Sequence, residues 1–297
     1  MRPYVSALAL AFILLGCTAT KPQKNMTSLR EEVLQELRQQ KGTFAVAFKD
    51  LQTDEELLLN EHESFHAAST MKTPVLIEAY RQAHQGRFSL SDSLLVKNEF
   101  KSIVDGSPFS IGPQDDSEQE LYKVLGQKRP LSELLYKMII QSSNLATNLV
   151  IEQLDARKVT QTMRELGAKN MQVLRGVEDG KAYQQGLNNT TTAYDLMVLF
   201  QQMARGKTVS PAASQEMIRI LLDQKFKDVI PAKLPKEVKV AHKTGWITKV
   251  RHDSGIVFLP DGRKYVLVLL SKDWDNDSAA TAAMANVSQM IYRHAAR

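Results

Sequence analysis

Apolar positions along the chain repeat with two different periods. Leu29, Val33 and Leu37 lie four apart, the spacing of one helix face, and Gly42 follows as a stop. The stretches TFAVAFKDL (from Thr43) and EELLLNE (from Glu55) then read as two strands, paired as a hairpin through Thr53-Asp54. From Ser69 to Ala204 the period is mostly helical, over Val75–Ala83, Leu131–Ile140, Leu145–Leu154, Val159–Leu166 and Thr192–Ala204. The chain returns to strands in VKVAHKTG, HDSGIVFLP and RKYVLVLLS, the last two joined by the turn Pro260-Asp261-Gly262. SAATAAMANVSQMIYRHAA closes it as an amphipathic helix. Strands at both ends with helices between predict an α/β (α+β) fold. One lobe, residues 28–66 and 206–297, carries a sheet flanked by helices, and a helical lobe spans 67–205. A cleft between two such lobes is where a site is to be sought.

Composition narrows the class. At 297 residues and 43% hydrophobic content the chain can bury a sizeable core. A net charge of +5 comes from scattered basic residues, without the clusters of a nucleic-acid reader. The first residues, MRPYVSALALAFILLGC, hold one basic residue and an apolar stretch from Val5 to Leu15. That stretch is too short to span a bilayer and has the layout of a secretory signal over residues 1–16. The ending LLGC resembles the lipobox of bacterial lipoproteins, which implies lipid attachment at Cys17. Cys17 is the single cysteine of the chain and can pair with nothing internally. The polar run that follows, to residue 27, reads as a tether. Export to a bacterial envelope, with a membrane contact through the lipid alone, is the expectation.

Three short motifs carry candidate chemistry. In Ser69-Thr70-Met71-Lys72 a helix would set Lys72 on the face of Ser69, and a desolvated lysine amine can activate a serine. By itself the motif is weak, since about one S-x-x-K is expected by chance in a chain of this length, and serine is also a good helix N-cap. Ser142-Ser143-Asn144 falls at the break between two helical patterns. It offers a proton relay and an amide for a substrate carbonyl, or simple helix punctuation. His242-Lys243-Thr244-Gly245, followed by Trp246, lies late in a strand. It offers a cation and a hydroxyl for a carboxylate, and a glycine for close backbone approach, or an exposed strand end with a bulge.

Order and spacing join the three. S-x-x-K, then S-x-N about seventy residues on, then K-T-G about a hundred further resembles the penicillin-recognising serine enzymes, and in particular the class A β-lactamases. The resemblance extends over nearly the whole mature chain, through Ser107-Pro108-Phe109, LATNLVIE after Asn144, and NTTTAYDL from Asn189. It implies a β-lactamase/transpeptidase-like fold, an antiparallel sheet flanked by helices beside a helical lobe, acting as a monomer. It also implies roles for the site residues. Ser69 would be acylated by the lactam carbonyl, and Lys72 would help accept its proton. Ser142 would pass a proton to the leaving nitrogen, while Asn144 positions the side-chain amide of the substrate. Lys243 and Thr244 would hold its carboxylate. The N–H groups of Ser69 and Trp246, beside Gly245, would bind the oxyanion. No metal or organic cofactor is implied.

One part of the family pattern is absent. Class A enzymes release the acyl group with a glutamate of the Ω loop, in a pattern resembling E-x-x-L-N. The matching stretch here is RGVEDGKAYQQGLNN, with Arg175 in place of the loop-anchoring arginine, Glu178 its only glutamate, and Leu187-Asn188 much later. Glu178 is expected either to activate the deacylating water or to pair with Arg175 as a structural acid, and Asp179 is a further candidate. Three readings follow: a β-lactamase, a penicillin-binding protein or D-Ala-D-Ala peptidase with slow deacylation, and a non-catalytic binding protein. His66 and His242 lie close to the motifs, and His242, just before K-T-G, is expected to pack or to tune Lys243 rather than to do chemistry itself. The segment 111–130 is expected to be a solvated loop with one short helix.

Overall fold

The computed structural model describes residues 25–297; the signal segment and Cys17 lie outside the described residues. Helix α1 runs Met26–Arg38 and begins inside the stretch expected to be tether, because the Asn25 side chain caps it by accepting from the Ser28 N–H. It buries Leu29, Val33 and Leu37, as the four-residue spacing requires. Gly42 is not its cap. Its φ of +110° turns the chain into β1, where a Cβ would fall 2.7 Å from the Lys272 carbonyl oxygen.

The sheet has five antiparallel strands: β1 (Thr43–Asp50), β2 (Glu56–Leu59), β3 (Lys239–Ile247), β4 (Val250–Phe258) and β5 (Lys264–Lys272). Their spatial order is β2-β1-β5-β4-β3, so β3, which carries Lys243-Thr244-Gly245, is an edge strand. Register places Val46 opposite Leu269 and Ala47 opposite Val268. Alternation then sends Phe44, Val46, Phe48, Tyr265, Leu267 and Leu269 to one face, against α1 and the C-terminal helix. Ala45, Ala47, Val266, Val268 and Leu270 go to the other, against the central helices. With both faces covered, β1 and β5 read as unbroken apolar runs rather than as alternating ones.

The central helices are α2 (Lys72–His84), α3 (Leu131–Ile140), α4 (Asn144–Leu154), α5 (Ala156–Glu165), the short α6 (Gly180–Gln184), α7 (Ala193–Ala204) and α8 (Pro211–Leu222), and α9 (Asp277–Ala295) closes the chain. Helix α7 packs on β1, β4 and β5, and α8 on β3, so the helical group is joined to the sheet by one continuous core. Among the described residues no helix is long and apolar enough to cross a membrane.

Packing between β3 and β4 leaves no room at Gly255, where a Cβ would fall 2.3 Å from the Ala241 carbonyl oxygen and 2.6 Å from His242 Cβ. Overpacking of this kind typically costs about 1–3 kcal/mol. Gly255→Ala is therefore expected to lower the unfolding free energy by at least about that amount, measured as a shift in the urea midpoint. An unshifted midpoint would contradict the packing described.

Candidate active site

Ser69 lies in a single 3-10 turn, Ala68–Met71, and helix α2 starts only at Lys72, three residues later than the pattern predicts. Nor is Ser69 the helix cap: that position is Met71, which makes no side-chain cap hydrogen bond. Ala68, directly before the serine, has φ +45°, a region that costs a residue with a Cβ. Neighbours hold it there. The Ala67 N–H donates to the Asn189 carbonyl at 2.8 Å. The Ala68 N–H donates to His66 Nδ1 at 3.0 Å, and the Thr70 hydroxyl to the Ala67 carbonyl at 2.5 Å.

Lys72 and Lys243 are both fully buried and converge on Ser142. Lys72 Nζ donates to the Ser142 carbonyl at 2.6 Å, to Ser142 Oγ at 3.2 Å and to Asn144 Oδ1 at 2.8 Å. Three acceptors match the three donors of an ammonium. Among the described residues none of these bonds goes to Ser69, so the lysine is tied to the Ser142 turn rather than directly to its helix neighbour. Lys243 Nζ donates to Ser142 Oγ at 3.0 Å and to the Thr244 carbonyl at 2.8 Å. Burial pushes the Lys72 amine down to about 7, against the charges of Asp116 and Glu178. Burial also holds Lys243 well below its ordinary value; the Lys72 charge adds to this and Asp253 opposes it. Far from being an exposed strand end, Lys243 is enclosed.

Ser142 has φ +58° and Ser143 caps α4, its side chain accepting from the Ala146 N–H, so the helix break expected here is real and also aims Ser142 back at the lysines. Gly245 brings β3 against the serine turn: a Cβ on it would lie 3.1 Å from the Ser69 and Thr70 nitrogens. Trp246 follows with its side chain 61% exposed. The Arg251 guanidinium lies 5.5 Å from its ring centroid and is itself paired with Asp228 and Asp277. Beside Lys243 the expected packing of His242 takes a definite form, a buried contact with Asp253 at 2.8 Å.

In the loop 175–189 the Arg175 guanidinium donates to the Leu187 and Gly176 carbonyls and to Asn188 Oδ1, all neutral acceptors. A structural ion pair between Arg175 and Glu178 is thus not what holds this loop. Asp179 is no free base either: it is buried, caps α6 and accepts from Ser102 Oγ and the Ile103 N–H. Glu178, at φ +61°, points the other way, and its Oε1 accepts from Asn144 Nδ2 at 3.2 Å. Burial raises its carboxyl above the ordinary value, as does Asp115, against Lys72 and Arg175. Asn144 therefore links Lys72 on one side to Glu178 on the other.

Ser69, Asn144, Glu178 and Trp246 line two adjoining cavities. One of about 370 Å³ runs under the loop toward His66 and Tyr183. The other, of about 900 Å³, runs past Thr244 toward Phe226 and Arg251. A serine hydroxyl, a second hydroxyl held by two buried lysines of which one can be neutral near pH 7, and a carboxylate lining the same cavities are parts suited to an acyl-transfer site.

Two contributors escaped the motif reading. Asp116 lies in the segment expected to be a solvated loop with one short helix, which instead forms two 3-10 turns, Pro113–Asp115 and Glu120–Val124, around a buried carboxylate. Asp116 Oδ2 accepts from the Asn144 N–H at 2.9 Å, the Leu145 N–H at 2.8 Å and Tyr122 Oη at 3.0 Å. It satisfies the first amides of α4 and fixes Asn144. Asn148 holds the loop, donating to the Val177 carbonyl at 3.0 Å and accepting from the Val177 N–H at 2.7 Å. A Cβ at Gly176 would lie 2.1 Å from Asn148 Oδ1, so glycine is required there. Asn148 sits four residues after Asn144, on the same helix face, a spacing that was legible; nothing local marks Asp116.

The antiparallel sheet flanked by helices, with the helical group across the cleft, is the β-lactamase/transpeptidase-like fold. The chain belongs to the beta-lactamase enzyme family, whose model matches residues 28–295. It is 24% identical to the extended-spectrum beta-lactamase PER-1 of Pseudomonas aeruginosa, over 99% of this chain and 95% of that one. The structure of PBP-A, 28% identical, covers 92% of this chain and 97% of its own with a TM-score of 0.78. The crystal structure of a beta-lactamase from Sphaerobacter thermophilus, 22% identical, covers 92% and 97% with a TM-score of 0.80. A serine β-lactamase or penicillin-binding-protein type of function follows from this membership.

Removing the Asp116 carboxylate orphans two amides at the start of α4, at about 1–3 kcal/mol for each unsatisfied buried donor. Asp116→Ala is expected to lower the unfolding free energy by about 2–5 kcal/mol, and Asp116→Asn, which keeps an acceptor, by clearly less. Urea denaturation of the two variants checks the order.

Proposed function

We propose that this protein is a class A-like serine β-lactamase that hydrolyses the lactam amide through an acyl-enzyme on Ser69. Ser69 Oγ attacks the lactam carbonyl carbon, and its proton passes to the neutral form of Lys72, directly or through a water. The tetrahedral oxyanion is bound by the N–H groups of Ser69 and Trp246, and preorganised donors of this kind contribute about 3–4 kcal/mol each. Collapse breaks the C–N bond; Ser142 Oγ, held by Lys72 and Lys243, gives its proton to the leaving nitrogen and takes one from the Lys72 ammonium, which returns to its neutral form. Lys243 and Thr244 receive the substrate carboxylate and Asn144 its side-chain amide. In the second half, Glu178 takes a proton from water, whose oxygen attacks the ester carbonyl carbon; the bond to Ser69 Oγ then breaks and that oxygen regains a proton, returning Glu178 to its carboxylate.

One observation carries the choice of lactamase over slow penicillin-binding protein: Glu178 lines the same cavities as Ser69 and is held by Asn144, the amide that also holds Lys72. A carboxylate at that point, with its pKa raised above the ordinary value, is a stronger proton acceptor than an unshifted one. The penicillin-binding reading keeps support from PBP-A, of which a leucine-to-glutamate mutant was solved as an acyl-enzyme complex with penicillin G.

The test mixes the purified protein with a chromogenic cephalosporin and follows colour release together with intact mass. The native protein is expected to turn over steadily. Glu178→Gln is expected to accumulate a mass adduct as deacylation slows by about 10²–10⁴-fold, and Ser69→Ala to show neither colour nor adduct. A persistent adduct on the native protein would instead favour the penicillin-binding reading. The pH dependence adds a check. Only ionised Glu178 can take the proton, and its pKa is raised. The deacylation rate should therefore fall, as pH is lowered, at a higher pH than an exposed carboxyl near 4.3 would produce, and that limb should vanish in Glu178→Gln.

A further inference from the structure

The imidazole of His66 joins the loop that carries Glu178 to the turn that carries Ser69. His66 lies on the two-residue strand Phe65–His66, which pairs with Thr190–Thr191 at the end of that loop. Its backbone carbonyl accepts from His252 Nε2 at 2.9 Å, which fixes the strand to β4. Its ring lines the smaller cavity beside Tyr183, with the ring centroids 6.1 Å apart. Nδ1 receives the Ala68 N–H at 3.0 Å. Asn188, near the end of that loop, accepts from Arg175 through its Oδ1. With Nδ1 occupied as an acceptor, the ring proton of the neutral form belongs on Nε2, and this selects one tautomer.

This bond has a specific consequence. Ala68 is in the left-handed region at φ +45°, immediately before Ser69. A side chain accepting from the backbone N–H two residues on is the pattern by which asparagine and aspartate stabilise turns; here an imidazole supplies it. The conformation that presents the Ser69 N–H and Oγ to the cleft therefore depends on an acceptor at the His66 Nδ1 position. Burial, together with the Arg175 charge, lowers the His66 pKa, which favours the neutral form that this requires.

We propose that His66 is a positioning residue for acylation: through Nδ1 it holds the strained Ala68 turn that aims Ser69, and through its pairing with Thr190 it ties that turn to the Arg175-anchored loop. This rests on Ser69 being the nucleophile, as proposed above. The role is that of an acceptor at one place, so it can be separated from bulk and packing.

The test measures the rate of adduct formation on Ser69 by quenched-flow mass spectrometry with a penicillin, alongside thermal melting, for the native protein, His66→Asn and His66→Gln. Asparagine places its amide oxygen near the Nδ1 position, whereas glutamine reaches one carbon further, toward Nε2. His66→Gln is expected to acylate about 10–100-fold more slowly, the scale of one unmade buried hydrogen bond, and His66→Asn to recover most of the native rate. Both variants are expected to melt cooperatively. Equal acylation of His66→Gln and native protein would overturn the proposal, and so would equal slowing of both variants. If His66→Gln fails to fold, His66→Asn decides: near-native acylation supports the acceptor role and slow acylation overturns it. Absence of any adduct on the native protein would instead overturn the assignment of Ser69, and this inference with it.

Discussion

Two lysine amines removed from water and brought to one hydroxyl are the constraint around which the rest of the site is arranged. An isolated buried ammonium is costly, and two near each other depress one another further. The structure offsets this with acceptors rather than with close ion pairs. Lys72 is saturated by the Ser142 carbonyl, Ser142 Oγ and Asn144, and Lys243 donates to Ser142 Oγ and its neighbour's carbonyl. Asp116, Glu178 and Asp253 act at longer range. The outcome is a Lys72 amine near 7, whose neutral form is accessible at neutral pH. An exposed lysine, titrating at about 10.4, would have no such neutral fraction.

Holding that arrangement takes strain at three backbone points. Ala68, Ser142 and Glu178 all have positive φ, and none is glycine. Each is next to or within a proposed catalytic element, and each turn is over-determined from elsewhere in the chain. His66 and Asn189 hold the first. The buried lysines hold the second. Asn148, gripping Val177 through both its amide and its carbonyl, holds the third. Where the backbone itself must come close, at Gly176, Gly245 and Gly255, the absence of a Cβ is what allows it.

Much of this was legible. The spacing of Leu29, Val33 and Leu37, the apolar runs of β1 and β5, and the break before α4 all match the structure, because burial period and helix punctuation are local properties. Ser69, Lys72, Ser142, Asn144, Lys243, Thr244 and Gly245 could be named from three short motifs in order. The helix expected to open at Ser69 was misplaced, since a 3-10 turn and a left-handed Ala68 have no periodic signature. Segment 111–130 looked like loop because its buried groups, the apolar Ile111 and Leu121 and the carboxylates of Asp116 and Glu118, follow no helix or strand period.

By itself, then, the sequence determined which residues could do chemistry and in what kind of elements they lie. Only the tertiary structure decided the partners of the acids. Asp179 is consumed as a cap, Arg175 turns to neutral acceptors, and Glu178, exposed at the cavity, accepts from Asn144. Local sequence encodes backbone preference and burial, whereas a carboxylate's function depends on which donors reach it through space. Asn144 reaches Glu178 from 34 residues away along the chain, and Ser102 and Ile103 reach Asp179 from 77 and 76 residues away.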